Sequence, residues 1–506
     1  MHYVQATDDS LCIAVFGDFL GRETGEEPGS AEPWEPRRAT PETVSGLLGL
    51  RPTVRITALQ GPEPLHLQLS GLEDFHPDSL FRRLDAFQEL REARQAIKEG
   101  GPLPPGLIPE EGTAPEEGTT PDDVAGEEAR PEAGSPGATG EADRTEIPSG
   151  SDLLEAIVQG DAGDDEDEAG HNRPPARGPD RELRNFVREI VRPHLVSPDT
   201  ERKDAIAELD RGASEMMGRI LHDPGFLEME AAWRSLVFLL SRADSAGKTR
   251  IYLVPVTKTE LARELLSRDE PHATRLFDLL STPPPGVPDG RWGLALGAYH
   301  FGPGPEELEV LRGISRVAGR ARVPWLSGMS PRVMGVDSFS ASERGEAWPD
   351  EEPEEWRSLR REPEAAWLGL VAPRFLVREP YGPGGLRAKA FQFQEPVASR
   401  SHLPWGNGAF VCGALLAQAH ARAGWRFRPS QGLDMDGLPL TPGAGGDDPR
   451  PSPLEAELST GAARMLAERG VVPLVSFPGQ ARIRAGGLRS LQEDGSELRG
   501  RWEEGR

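Results

Sequence analysis

His222 and Asp223 are the adjacent pair best suited to acid/base chemistry, because an imidazole beside a carboxylate can share a proton. They stand in ILHDPGF, where one helical pattern stops and another resumes at Pro224. That context predicts a turn whose side chains bond backbone, not a catalytic dyad. PYGPGG at 380–385 is glycine-rich enough to approach a phosphate, yet no Lys-Ser/Thr follows it and no βαβ frame surrounds it. A turn is predicted there too. The acidic run Asp164–Glu168 lacks the turn glycine and distal Glu that fix cation geometry, so it reads as a solvated charge run. The ten histidines show no ligand spacing, and the P-loop, zinc-protease, nucleophile-elbow, CxxC and EF-hand patterns are absent. No enzymatic activity, cofactor or metal site is predicted. Cys12 in LCIAVF and Cys412 in AFVCGALL have apolar neighbours, which predicts buried reduced thiols instead of a disulfide framework.

The elements around these residues follow from apolar periodicity. LCIAVFGDFL is a short apolar run ended by Gly17, resembling a buried strand. TVRITAL and PLHLQLS alternate, which points Val54, Ile56, Leu65, Leu67 and Leu69 inward from two strands. From Pro77-Asp78-Ser79 a helix is predicted, with Leu80, Leu84, Phe87 and Leu90 as one stripe. Further on, Phe226, Met229, Trp233, Leu236 and Leu240 define a second helical stripe. IYLVPV, WGLALGAYHF, VPWLSG and WLGLVAPRFLV then alternate with helix-like segments, so the fold class is α/β, with mixed sheets flanked by helices.

Composition divides the chain. Its 506 residues allow two to four domains, and the formal net charge is -26. Between Lys98 and Asp180 there are 22 Asp+Glu against 5 Lys+Arg, so this stretch carries -17 and the remainder -9. Residues 99–180, rich in Pro, Gly and Glu, are expected to be a disordered acidic linker between folded regions 1–98 and 181–492, with 493–506 as a polar C-terminal tail. Inside the linker, SDLLEAIV predicts a short helix over 151–159 with Leu153, Leu154, Ile157 and Val158 on one face. So short a helix needs docking to persist, on its own domains or in a partner's groove. The acidic balance argues against nucleic acid as a partner. No apolar run reaches the roughly 20 residues of a membrane span, and MHYVQATDDS does not read as a signal peptide, so membrane insertion is not expected and a cytoplasmic location is.

Several of these blocks resemble the large subunit of the type VI secretion contractile sheath, over roughly Ser151 to Gln492: LLEAIV, VRPHLV, ILHDPGFLEMEAAWRSL, ISRVAGRARVPWLSGMSP with GVDSF, LGLVAPRFLVREPYGP, LPWGNGAFVCGALLAQAHARAGW and EAELSTGAARMLAERGVVPLV. The matching motif positions are Asp223, Pro224, Trp233, Arg234, Pro373, Arg374, Tyr381, Gly382, Trp405, Gly406 and Asn407. IAVFGDFLGRE, EPRRATPETVSGLLGL and LEDFHPDSLFRRLDAFQELREAR resemble the small sheath subunit. The resemblance implies both subunits fused through the acidic stretch, at fixed one-to-one stoichiometry. It implies as partners other sheath subunits, the hexameric rings of the inner tube, the baseplate, and a hexameric AAA+ unfoldase gripping Leu153, Leu154, Ile157 and Val158. Against the family pattern, the chain stops soon after VVPLV and the small-subunit part soon after its helix. An alternative expectation is therefore a non-polymerising adaptor or cap that regulates assembly or recruits the unfoldase.

Overall fold

The computed structural model describes residues 9–22, 34–58, 64–100, 198–243, 247–268, 270–342, 352–383, 385–431, 433–442 and 451–504. The expected helix at 151–159, with Leu153, Leu154, Ile157 and Val158, lies outside them.

Thirteen strands form among the described residues, the interior ones from apolar runs: β1 Leu11–Gly17, β2 Arg37–Ala39, β3 Thr53–Ile56, β4 Leu65–Gln68, β5 Thr249–Pro255, β6 Trp292–Phe301, β7 Trp325–Met329, β8 Leu368–Ala372, β9 Phe375–Leu376, β10 Trp405–Gly406, β11 Asp434–Asp436, β12 Val471–Ser476 and β13 Arg482–Ala485. Nine form one sheet in the order β11-β13-β12-β8-β7-β6-β1-β5-β2. The six strands from β12 to β5 run parallel, and the antiparallel strands lie at the two ends. Parallel strands are covered on both faces, which is why they read as continuous apolar runs.

Successive side chains of β1 supply opposite cores. Leu11, Ile13 and Val15 enter the core under helices Pro224–Ala243 and Ala409–Ala423. Cys12, Ala14 and Phe16 enter the other, under helices Lys258–Leu266, Arg275–Ser281, Pro305–Ala321 and Thr460–Glu468. Cys12 and Cys412 are buried thiols outside any disulfide, in cores on opposite sides of the sheet.

The described residues before Pro104 and after Asp204 belong to one compact unit. The reason is topological: β1 pairs with β5 on one side (Ile13 opposite Ile251) and β6 on the other (Ile13 opposite Leu294). The first region therefore contributes an interior strand to the sheet of the second.

Two expectations are corrected. The helix predicted from Pro77 breaks into Pro77–Arg83, a 3-10 turn Asp85–Phe87 and a helix Gln88–Lys98. Leu84 is extended at the break, where Arg91 Nη1 donates to the carbonyls of Phe81 (2.6 Å) and Leu84 (2.8 Å) and so satisfies the freed helix end. Leu80, Leu84 and Phe87 are still buried, so the stripe holds although the helix does not. The segment expected as a polar tail, 493–506, is anchored over its described residues: Leu498 and Trp502 are buried, and Trp502 lies 5.3 Å from the Phe427 ring. These two buried side chains, with backbone bonds from Leu498 to Leu488 and from Arg499 to Ala366, hold a segment that is otherwise polar.

Candidate functional site

The helix Pro224–Ala243 organises the motif residues. Asp223 caps it: Oδ1 accepts from the backbone of Gly225 (3.0 Å) and Phe226 (3.4 Å), with the exposed Pro224 in the first turn, where no N–H is needed. Oδ2 faces away from the helix and accepts from Thr57 N (2.8 Å), Thr57 Oγ1 (3.1 Å) and Ala58 N (3.2 Å). One carboxylate thus starts the helix and holds the end of β3. The turn reading of His222-Asp223 stands, with a partner far away in sequence.

The apolar stripe of the helix faces the first region. Phe226 meets Phe75 edge-on at 5.6 Å and Trp233 meets Phe19 at 5.2 Å. Met229 and Leu236 are buried as predicted, whereas Leu239 takes the fully buried place assigned to Leu240, which is half-buried.

On that stripe sits Glu230, fully buried between Phe226 and Trp233. Its Oε1 accepts from Arg234 Nε and from Arg378 Nε, each at 2.7 Å. Arg378, 3% exposed, also holds Glu395 with Nη1 (2.7 Å) and Nη2 (3.3 Å), and its guanidinium lies 4.5 Å over the Tyr381 ring. Tyr381 N donates to Glu395 Oε2 at 2.9 Å. Buried charges of this kind persist only when paired and hydrogen-bonded. Burial pushes the Glu395 carboxyl up, but His222, with Nε2 3.5 Å away, and the charge and hydrogen bonds of Arg378 pull it down to about 2. Burial opposes charge on Arg378 as well, and Glu230 and Glu395 outweigh it, so the guanidinium is held more firmly protonated than usual. Tyr381 is pushed up to about 12 by burial and by Glu230.

The remaining motif residues brace loops and strands around that helix. Pro373 is buried after β8. Arg374 pairs with Glu455 through Nε (2.7 Å) and its backbone N (2.9 Å). Gly382, at φ +148°, adopts a backbone that L side chains rarely take. Trp405 and Gly406 form β10 against β9, and Trp405 Nε1 donates to the Arg400 carbonyl at 2.7 Å. A Cβ on Gly406 would come within 2.5 Å of Ser235 Oγ and Val377 Cγ1, so close packing on the helix requires glycine there. Asn407 Nδ2 donates to the Tyr299 carbonyl (2.8 Å), and its Oδ1 accepts from Ala409 N (2.9 Å), joining β6 to the start of helix Ala409–Ala423.

Beside these residues, at the C-terminal ends of β1 and β6, lies a cavity of about 260 Å³ lined by Asp18, Lys258, His300, Arg374 and Asn407 among others. Its cations are engaged: Lys258 binds Glu307 and the His300 carbonyl, and Arg374 binds Glu455. Burial, with Arg374 and Lys258 nearby, lowers His300 to about 3 and keeps it neutral. Among the described residues no group of three or more His, Cys, Asp or Glu could hold a metal.

The structure therefore brings Asp223, Trp233, Arg234, Tyr381 and Gly406 to one helix, and what the arrangement does is hold segments together. Sequence reasoning missed Glu230, Arg378 and Glu395. A legible signal existed for one of them: a glutamate four residues after Phe226 and three before Trp233 falls on the apolar stripe, where an ionised group demands a buried cation.

The family model described as VipB (EvpB/VC_A0108, tail sheath N-terminal domain) matches residues 203–492. The type VI secretion system sheath protein TssC1 of Pseudomonas aeruginosa is 27% identical over 301 residues, covering 56% of this chain and 60% of that protein. The chain thus spans 60% of the length of this curated relative. A chain in the cryo-EM structure of the anti-feeding prophage baseplate, six-fold symmetrised, aligns over 54% of each chain with 12% identity and a TM-score of 0.26, a likeness too distant to interpret.

Proposed function

The chain belongs to the VipB tail-sheath family, and from that premise we propose that it is a structural protomer of a type VI secretion contractile sheath. In this reading it is a fused small- and large-subunit-like chain that assembles around an inner tube and drives the tube outward by contracting. The observation that carries the reading is the position of β1. It lies outside the family match of 203–492, yet it fills the middle of the sheet between β5 and β6, which lie inside the match. A domain that takes an interior strand from a second region is built as a two-part protomer, and covalent linkage keeps the parts at equal number.

Asp223 and the Phe75–Phe226 and Phe19–Trp233 contacts support a mechanical role, because they tie the two parts into a body that can transmit load, and the Glu230–Arg378–Glu395 chain braces the second part internally. The partners in this reading are other copies or separate sheath subunits, the rings of the inner tube, the baseplate, and an AAA+ unfoldase that grips Leu153, Leu154, Ile157 and Val158. Co-sedimentation tests the reading. The purified chain should pellet together with polymerised tube protein, and in larger amount than with tube protein kept as free rings. Equal recovery in the supernatant in both cases would count against it.

A further inference from the structure

Arginines crowd the end of the molecule where the parallel strands begin. Arg291 directly precedes β6, while Arg320 and Arg322 lie at the end of helix Pro305–Ala321, ahead of β7. With Arg501 they line a cavity of about 210 Å³. Arg320 also lines a neighbouring groove of about 410 Å³ together with Arg316 and Arg499. Arg501 stacks over the Trp425 ring at 4.3 Å, and just beyond Trp425 a third groove of about 410 Å³ is bordered by Arg422, Arg426 and Arg428.

Carboxylates are fewer than arginines at this end: Glu364 lines the second groove, and Asp434 in the third is already bound to Arg482 and Arg484. Glu504 is the carboxylate of the first cavity, and it is shared: Oε2 accepts from Arg291 at 2.7 Å and Oε1 stands 3.8 Å from Arg322. Arg501 Nη1 is buried with no hydrogen-bond partner. Burial, and then repulsion from Arg291, lower the pKa of Arg501 against the opposing pull of Asp9 and Glu504. Among the described residues Arg320, Arg426 and Arg428 form no ion pair. Unneutralised guanidinium groups hold planar donor forks ready for carboxylates, as Glu504 already illustrates.

We infer that this arginine-lined end is a docking surface for a carboxylate-rich segment of another protein. The site extends over three grooves, which is more than one phosphate-sized anion can engage. The chain's net charge of -26 disfavours a nucleic acid at long range, whereas a short acidic segment pays little of that repulsion. Carboxylates spaced along a backbone match guanidinium groups spaced along a surface, and Arg320, Arg322 and Arg426 are exposed there. The inference stands apart from the sheath reading, since a protein that forms no tubules can still bind such a segment.

Fluorescence anisotropy of a labelled oligoglutamate peptide against the full chain tests it. Binding should weaken steeply as salt is added. The triple variant Arg320→Glu, Arg322→Glu, Arg426→Glu should lose affinity by about a hundredfold, because three attractive contacts become repulsive. Arg211→Glu, Arg263→Glu, Arg464→Glu makes the same change of net charge on exposed helix positions elsewhere and should stay within about twofold of the native chain. Circular dichroism checks that both variants are folded. Failure of the native chain to bind the peptide, equal losses in the two triple variants, or tighter binding of pyrophosphate or duplex DNA than of the peptide would each overturn the inference.

Discussion

Asp223 and Thr57, 166 residues apart, are joined by two hydrogen bonds: the carboxylate Oδ2 accepts from the Thr57 backbone at 2.8 Å and from its hydroxyl at 3.1 Å. The same carboxylate caps helix Pro224–Ala243 through its other oxygen. A residue that first suggests acid/base chemistry therefore works as a fastener between the two regions. Asp223→Ala removes the cap and leaves the Thr57 and Ala58 donors unmet, so we expect a loss of about 3 kcal/mol in chemical denaturation. Asp223→Asn keeps one acceptor oxygen and should lose less. A loss under about 0.5 kcal/mol for the alanine variant would show that the bonds are replaced by water.

Arg378→Met removes the guanidinium that two buried carboxylates, Glu230 and Glu395, share. Removing one partner of a buried ionic network typically costs about 3–5 kcal/mol, so the variant should melt well below the native chain or accumulate as insoluble protein.

The same network gives acid sensitivity with a defined sign. The Glu395 carboxyl lies at about 2 in the native state against an ordinary 4.5, so the unfolded chain binds its proton first as pH falls. Its stabilising effect, about 3 kcal/mol, is complete above pH 4.5 and disappears as pH falls toward 2. Denaturation midpoints measured down this range should fall more steeply for the native chain than for Glu395→Gln. Parallel curves would place the acid sensitivity elsewhere.

Because β1 lies between β5 and β6, cutting the backbone should not separate the two regions. With a protease site introduced between residues 105 and 197, the cleaved fragments should co-elute in size-exclusion chromatography under native conditions and part only in denaturant. An isolated interior strand and its hairpin have no comparable core of their own. Separation without denaturant would refute the two-part protomer.

The double variant Leu154→Asp, Ile157→Asp should lose capture by the AAA+ unfoldase in a pull-down while keeping the native melting temperature. Undiminished capture would show that these apolar positions are not the handle.

Much of the fold is legible in the residues. The buried runs around IYLVPV, WGLALGAYHF and VPWLSG are strands, and Phe226, Met229, Trp233 and Leu236 mark the buried face of their helix. Strand order is not legible, because LCIAVFG buries both faces wherever it sits in a parallel sheet, and nothing local says that its neighbours lie more than 200 residues away. The break at Leu84 is accompanied by Arg91 reaching back to two carbonyls, which the spacing of the helical stripe does not announce. Glu230 announces a buried partner through its place on an apolar face, but Arg378 is 148 residues distant, and no spacing rule connects them.

The sheath-protomer claim meets its most direct test in electron microscopy of the purified full-length chain, alone and with tube protein. Regular tubules of uniform diameter, enclosing the tube where it is supplied, are the predicted result. Discrete particles of constant size under every condition would contradict it.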